Sequence, residues 1–282
     1  MGYKVKIIID SAADIPTAWI DRYEIGVIPA YVILNQDSYK DDGIALPRAE
    51  LYRRLEEPHL AASTSAPPPG DALSALQAAL QEAEQVVAFT VASTLSGIYN
   101  VFRLAAEQVD PKRITVCDSG SLTMGIGWQI WAAIQAREAG GGVAEMVAAA
   151  QSVRDRSAVW GIPATLDSLR RSGRISRLMA GIGTLLQIKP ILEVGNNVVG
   201  LAQRARTMNK AISTLAEMVR SAAPLEYVAF IHIRNPEGAA ALRGQLTDVL
   251  PTKPESVQVV EAAAAIAIHF GLDAVAAAIV RA

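Results

Sequence analysis

VVAFTVASTLSGIYNVFRLA, residues Val86–Ala105, changes its period partway along. Val86 to Val91 is an apolar run of strand length interrupted only by Thr90, whereas Leu95, Ile98, Phe102 and Ala105 recur on one face of a 3.6-residue helix. Between them stand Ser93, Thr94, Ser96 and Gly97, residue types that suit a helix N-terminus, with Ser93 or Thr94 expected as the cap. A buried strand running through a polar turn into an amphipathic helix is the unit from which α/β proteins with largely parallel sheets are built.

Upstream, the pattern predicts a strand at Val5–Ile9, a helix at Thr17–Tyr23 and a strand at Ile25–Leu34. The polar residues Asn35–Gly43 read as irregular, Pro47 opens a helix to Glu56, and Pro58–Gly70 reads as loop. Leu73, Leu76, Leu80 and Ala83 then predict a helix to Glu84 with Asp71 as its cap. Downstream come a strand at Ile114–Cys117, a helix at Leu122–Glu138, a three-glycine joint at Gly140–Gly142, a helix at Val143–Arg154 and a strand near Val159.

At 282 residues the chain suits two domains, and we place their boundary near Asp155: 1–155 with a mainly parallel sheet, 156–282 with a mixed one. The second part carries helical stretches at Pro163–Arg171 and Ser176–Leu185, strands at Ile188–Val194 and Val198–Leu201, and an Asn196-Asn197 hairpin turn. A helix at Arg204–Ala222, a strand at Tyr227–His232, a helix at Pro236–Leu246 and a strand at Val257–Val260 follow. Val259–Val280 is long enough to span a bilayer, but Glu261, His269, Gly271 and Asp273 interrupt it. A strand end followed by a buried helix is expected there, with no stable membrane insertion.

Composition excludes several classes of function. At 51% hydrophobic and 19% charged the chain is neither disordered nor fibrous. With 26 basic against 28 acidic residues its net charge of −2 argues against nucleic-acid binding. Cys117 is the only cysteine, which rules out an intramolecular disulfide and a cysteine-based zinc cluster and suits a reducing cytoplasm. The apolar run before Asp10 is too short for the core of a secretory signal.

Ligands of open α/β sheets bind beyond the carboxyl ends of the strands. Three polar segments occupy such places: Asp10-Ser11, Ser93–Gly97 and Asp118-Ser119, which we expect to share one sheet edge. Ser96 and Gly97 are expected in the first helical turn, whose unpaired N–H groups and dipole suit a carboxylate or phosphate; ordinary capping explains the same residues. Thr64-Ser65, held before Pro67-Pro68-Pro69, could turn small hydroxyls toward a ligand. Asp14 is expected as a helix cap ahead of Pro16 rather than as a metal ligand with Asp10, and His59 and His232 have no zinc-site spacing. His269 suits either a buried anion or a hydrogen-bonded place in the core. The clusters Arg170, Arg171, Arg174, Arg177 and Arg204, Arg206, Lys210 read as solvated helix faces, with phosphate or nucleic-acid contact as the alternative. No Walker loop, dinucleotide fingerprint or nucleophile elbow is present, so an acyl transferase or esterase would have to use Ser96 or Ser119 with His269.

Several motifs recur together: DSAADIP (Asp10–Pro16), YKDDGIAL (Tyr39–Leu46), TSAP (Thr64–Pro67), STLSG (Ser93–Gly97) and CDSGSLTMGIG (Cys117–Gly127). TLDSLRRSGRISRLMAGIGTLLQIKPIL (Thr165–Leu192) and RART (Arg204–Thr207) follow. In number, order and spacing they resemble the DegV family of bacterial fatty-acid-binding proteins across nearly the whole chain. The resemblance implies a two-domain α/β fold with a long-chain fatty acid between the domains and its carboxylate buried in hydrogen bonds. It assigns carboxylate contact to Thr64 of TSAP and to Ser96 and Gly97 of LSG, with Arg174 of SGRIS and His269 completing the surroundings. Ser65, Ser93, Ser11 and Ser119 are secondary candidates. It also implies a carrier with neither cofactor nor metal, which hands its acid to a separate fatty acid kinase for acyl-phosphate formation and phospholipid synthesis. This chain departs from the family's usual pattern at Ile98 (threonine), at Ala66 (glutamine) and at Gly271-Leu272-Asp273 (glycine-proline-glycine).

Overall fold

The computed structural model describes residues 3–171 and 188–282. The helix expected at Ser176–Leu185 lies outside the described residues. In chain order the elements are β1 (Val5–Asp10), α1 (Thr17–Arg22), β2 (Gly26–Ile28), β3 (Tyr31–Leu34), β4 (Asp37–Lys40), α2 (Arg48–Leu55), β5 (Ala62–Ser65) and α3 (Pro69–Glu82). Then come β6 (Gln85–Thr90), α4 (Ile98–Val109), β7 (Ile114–Asp118), α5 (Met124–Glu138), α6 (Val143–Arg156), β8 (Ser157–Ile162) and α7 (Asp167–Arg171). The chain closes with β9 (Lys189–Gly195), β10 (Val198–Ala205), α8 (Met208–Ser221), β11 (Leu225–His232), α9 (Pro236–Gly244), β12 (Val257–Glu261), α10 (Ala264–Phe270) and β13 (Val275–Arg281).

The α/β class holds. A four-stranded sheet in the order β2-β1-β6-β7 is parallel throughout, and a six-stranded sheet in the order β10-β9-β8-β13-β11-β12 is mixed, only its β11–β12 pair being parallel. A small antiparallel sheet, β4-β3-β5, flanks them. Helix α5 is apolar nearly all round, and it is buried because it touches both β6 and strands β8, β11 and β13. Trp128 on α5 donates to the carbonyl of Ala278 at 3.2 Å and stacks on Tyr227, ring centroids 4.9 Å apart. One core therefore runs from Ile7 and Phe89 of the parallel sheet to Val159, Ile231 and Val280 of the mixed sheet. A second core, with Phe230, Leu215 and Leu242, lies between the other face of the mixed sheet and helices α8 and α9.

Five local expectations need correction. The Ile25–Leu34 segment splits at Pro29: β2 joins the parallel sheet and β3 the small one. The stretches read as irregular or loop contain β4 and β5, whose sequences DSYK and ASTS offer no apolar run to mark them. Asp71 is not the cap of α3; the helix begins at Pro69, and Asp71 in its first turn accepts from the Tyr31 hydroxyl at 2.8 Å. Helix α8 begins at Met208, its cap Thr207 accepting from Lys210 N at 3.2 Å, so Arg204 belongs to β10. Finally, β13 is an interior strand of the mixed sheet where buried helix was expected, because the alanine-rich VAAAIVR carries no alternation to distinguish strand from helix.

Candidate functional site: an apolar cavity with hydroxyl and imidazole groups

Strands β1, β6 and β7 are neighbours, so Asp10, Ser93–Gly97 and Asp118 meet on one sheet edge as their positions require. Asp10 is fully buried; its carboxylate accepts from Ala12 N at 2.7 Å and Val91 N at 2.6 Å, tying the end of β1 to that of β6. Burial pushes its carboxyl up to about 6 against those two N–H groups. Asp118 accepts from Ser93 Oγ at 2.5 Å, Ser93 N at 3.1 Å, Gly120 N at 3.0 Å and Asn197 Nδ2 at 3.1 Å. Burial acts to raise this carboxyl, but the hydrogen bonds prevail and hold it below the usual value.

Those bonds decide what the STLSG segment presents. Ser93 is exposed and held by Asp118, while Thr94 donates to the carbonyl of Asn197 at 3.0 Å. Neither caps α4, contrary to expectation: the cap position is Gly97, exposed and without a side-chain bond. Asn196 and Asn197 do form the tight turn, both with positive φ (49° and 63°). The next hydroxyl inward, that of Ser96, accepts from Ile98 N at 3.3 Å and lines a cavity.

The cavity offers about 130 Å³ to the centre of a water molecule. Val91, just past the end of β6, with Val159, Leu192 and Ile231 of the mixed sheet and Ile266 and Phe270 of α10, contributes to its apolar wall. Its polar side chains are Thr64, Ser65, Ser96, Thr123, His232 and His269; no Asp, Glu, Lys or Arg lines it among the described residues. Thr64 Oγ1 and His269 Nε2 lie 2.7 Å apart, which joins two residues 205 positions apart in the chain. Thr64 is placed by the β3–β5 ladder, where it pairs with Val32, and α10 packs on β5.

The structure thus brings Thr64, Ser65, Ser96 and His269 to one cavity. Gly97, Ser11, Ser93 and Ser119 are not among its lining residues, and Arg174 lies outside the described residues. The buried Ser119 hydroxyl is bonded within its own turn, donating to Ser121 O at 3.3 Å and accepting from Ser121 N at 3.1 Å. Ser11 donates to Asp41 at 3.1 Å and accepts from Ala30 N at 3.1 Å. Asp14 does bind a helix start, but a distant one. It accepts from Ala263 N at 2.7 Å ahead of α10, while α1 has no side-chain cap.

Sequence reasoning overlooked Asp41. It is 6% exposed and accepts from Ala264 N and Ala265 N, both at 3.1 Å. Its one sequence signal was a place inside the YKDDGIAL motif. No group of His, Cys, Asp and Glu among the described residues is arranged to hold a metal ion, and no helix among them is long and apolar enough to cross a membrane.

Fold and site define an α/β protein built around an apolar cavity with hydroxyl and imidazole groups in its wall. Residues 4–282 match the sequence model of the DegV family, and the chain belongs to that family. A DegV domain-containing protein of Deinococcus radiodurans is 32% identical over 249 residues, 87% of this chain and 88% of that protein. A Thermus thermophilus structure described as fatty acid binding of a DegV family protein superposes with a TM-score of 0.90 at 30% identity, covering 98% of this chain and 99% of that one. A Thermotoga maritima protein whose structure is described as revealing fatty acid binding function gives 0.86 at 26% identity, with 99% of each chain covered.

Proposed function

We propose that this protein binds one long-chain fatty acid in the cavity, its carboxylate at the end formed by Thr64, Ser65, Ser96 and His269. The observation that carries this reading is the Thr64–His269 pair at 2.7 Å in the wall of an otherwise apolar cavity. A buried CH₂ is worth about 0.8 kcal/mol, so about fourteen of them contribute roughly 11 kcal/mol gross. A buried carboxylate is tolerated when hydrogen-bonded, and hydroxyls with an imidazole supply donors. Gly97 and Arg174 complete the carboxylate's surroundings by the family pattern. The acid lies between two domains, residues 1–155 and 156–282.

In this reading the protein is a cytoplasmic carrier, not a catalyst, and presents its acid to a separate fatty acid kinase that makes the acyl phosphate for phospholipid synthesis. Support for a carrier over a serine esterase comes from the serines. The Ser119 hydroxyl is bonded to Ser121, and His269 Nε2 lies 2.7 Å from Thr64 Oγ1. Native mass spectrometry of the purified protein, followed by denaturing extraction, is expected to release one fatty acid per chain. A protein that comes empty and takes up no added long-chain acid, yet reacts at Ser96 with a fluorophosphonate, would reverse the assignment.

A further inference from the structure

Helix α10 contributes Ala265, Ile266, His269 and Phe270 to the cavity, yet it has only seven residues, less than two turns. So short a helix is marginal unless its ends are satisfied. Its own sequence offers no cap, because the cap position is Ala263 and a methyl group accepts nothing. The missing acceptors arrive from more than 200 residues away. Asp41 accepts from Ala264 N through Oδ1 and from Ala265 N through Oδ2, and Asp14 accepts from Ala263 N.

Asp41 is itself fixed from two further elements. Ser11, just beyond β1, donates to it, and Arg48 at the start of α2 lies 3.5 Å from its Oδ1. A carboxylate on backbone N–H groups at a helix N-terminus gains both charge-assisted hydrogen bonds and a favourable helix dipole. With the first turn so held, the helix carries His269 in its last turn onto Thr64.

We propose that Asp41 is a positioning residue for the polar end of the cavity: by capping α10 from outside the helix's own sequence it sets where His269 meets Thr64. The inference rests on the reading that this end receives a fatty acid carboxylate. Palmitic acid and its methyl ester separate the possibilities, because the ester fills the same apolar space without bringing a charge to the polar end. Asp41→Ala is expected to bind palmitic acid about tenfold more weakly than wild type, while methyl palmitate binds the two equally. Adding Ala263→Ser, which returns a cap oxygen within the helix's own sequence, is expected to recover most of the acid affinity.

Undiminished acid affinity in Asp41→Ala overturns the proposal, as does an equal loss for acid and ester or a double variant no better than Asp41→Ala. Should Asp41→Ala not fold, Asp41→Asn keeps the volume and one acceptor. It is expected to show a smaller loss confined to the acid, and a loss shared by the ester overturns the proposal there too. Wild-type protein that binds neither probe overturns the binding reading and the inference with it. Wild-type protein that binds the acid, with nothing lost at Asp41→Ala, overturns the inference alone.

Discussion

At the scale of single residues, Ser96 and Ser93 share a five-residue motif but have different work. Ser93 Oγ donates to Asp118, so its proton is committed. Ser96 Oγ accepts from Ile98 N, which leaves its own proton to donate into the cavity. Ser96→Ala is therefore expected to weaken fatty acid binding by about 1 to 3 kcal/mol in a titration at constant chain length. Ser93→Ala is expected to leave that affinity nearly unchanged and to lower thermal stability instead, by loosening the Asp118 cluster. Unaltered binding by Ser96→Ala would remove Ser96 from the site. Sequence reasoning could reach the motif but not this division, because the bond from Ser93 to Asp118 joins residues 25 positions apart that only the β6–β7 pairing brings together. Asp41 was hidden for the same reason: its partners Ala264 and Ala265 lie more than 220 positions away and carry no polar side chain.

At the scale of elements, what was legible followed from periodicity. Strands β1, β6 and β7 with helices α4 and α5 have strong apolar patterns, and each was placed within a few residues. Strands β4, β5 and β13 were not, the first two because short polar strands show no apolar run, the last because alanine fits both structures. That loss mattered for the site, since β5 carries Thr64 and β13 adjoins β8 in the cavity wall. Their pairing places Gly161 beside Ala276, and a Cβ added at Gly161 would lie 2.7 Å from Phe270 Cζ. Both Gly161 and Phe270 line the cavity. Gly161→Ala should force the Phe270 ring to move and shorten the usable space. The expected result is a larger loss of affinity for longer acids than for shorter ones in a competition series. An equal loss across chain lengths would place this contact outside the acyl path.

At the scale of the molecule, the parallel and mixed sheets share one continuous core through α5, so the joint between them is as hydrophobic as an interior. Polar ties also cross that joint, among them Asp14 on Ala263 N. Burial pushes the Asp14 carboxyl up to about 8, against the Thr123 hydroxyl and the Ala263 N–H, and nearby Asp41 adds to the rise. In the unfolded chain an aspartate titrates near about 4. Between those values the folded protein keeps a proton that the unfolded chain has released, so unfolding releases a proton and stability falls as pH rises. The contribution of Asp14 is thus fully present below about pH 4 and lost as pH passes through about 8. Asp10, raised to about 6, adds a narrower window of the same sign. Asp14→Asn keeps an acceptor for Ala263 N and does not titrate. Melting of ligand-free protein from about pH 5 to about pH 9 is expected to show the variant gaining on wild type step by step. A difference in Tm that stays constant over that range would mean that Asp14 is already ionised in the folded state at pH 5. In that case its bond to Ala263 N, rather than its burial, would govern the group, and α10 would be capped by two charges instead of one.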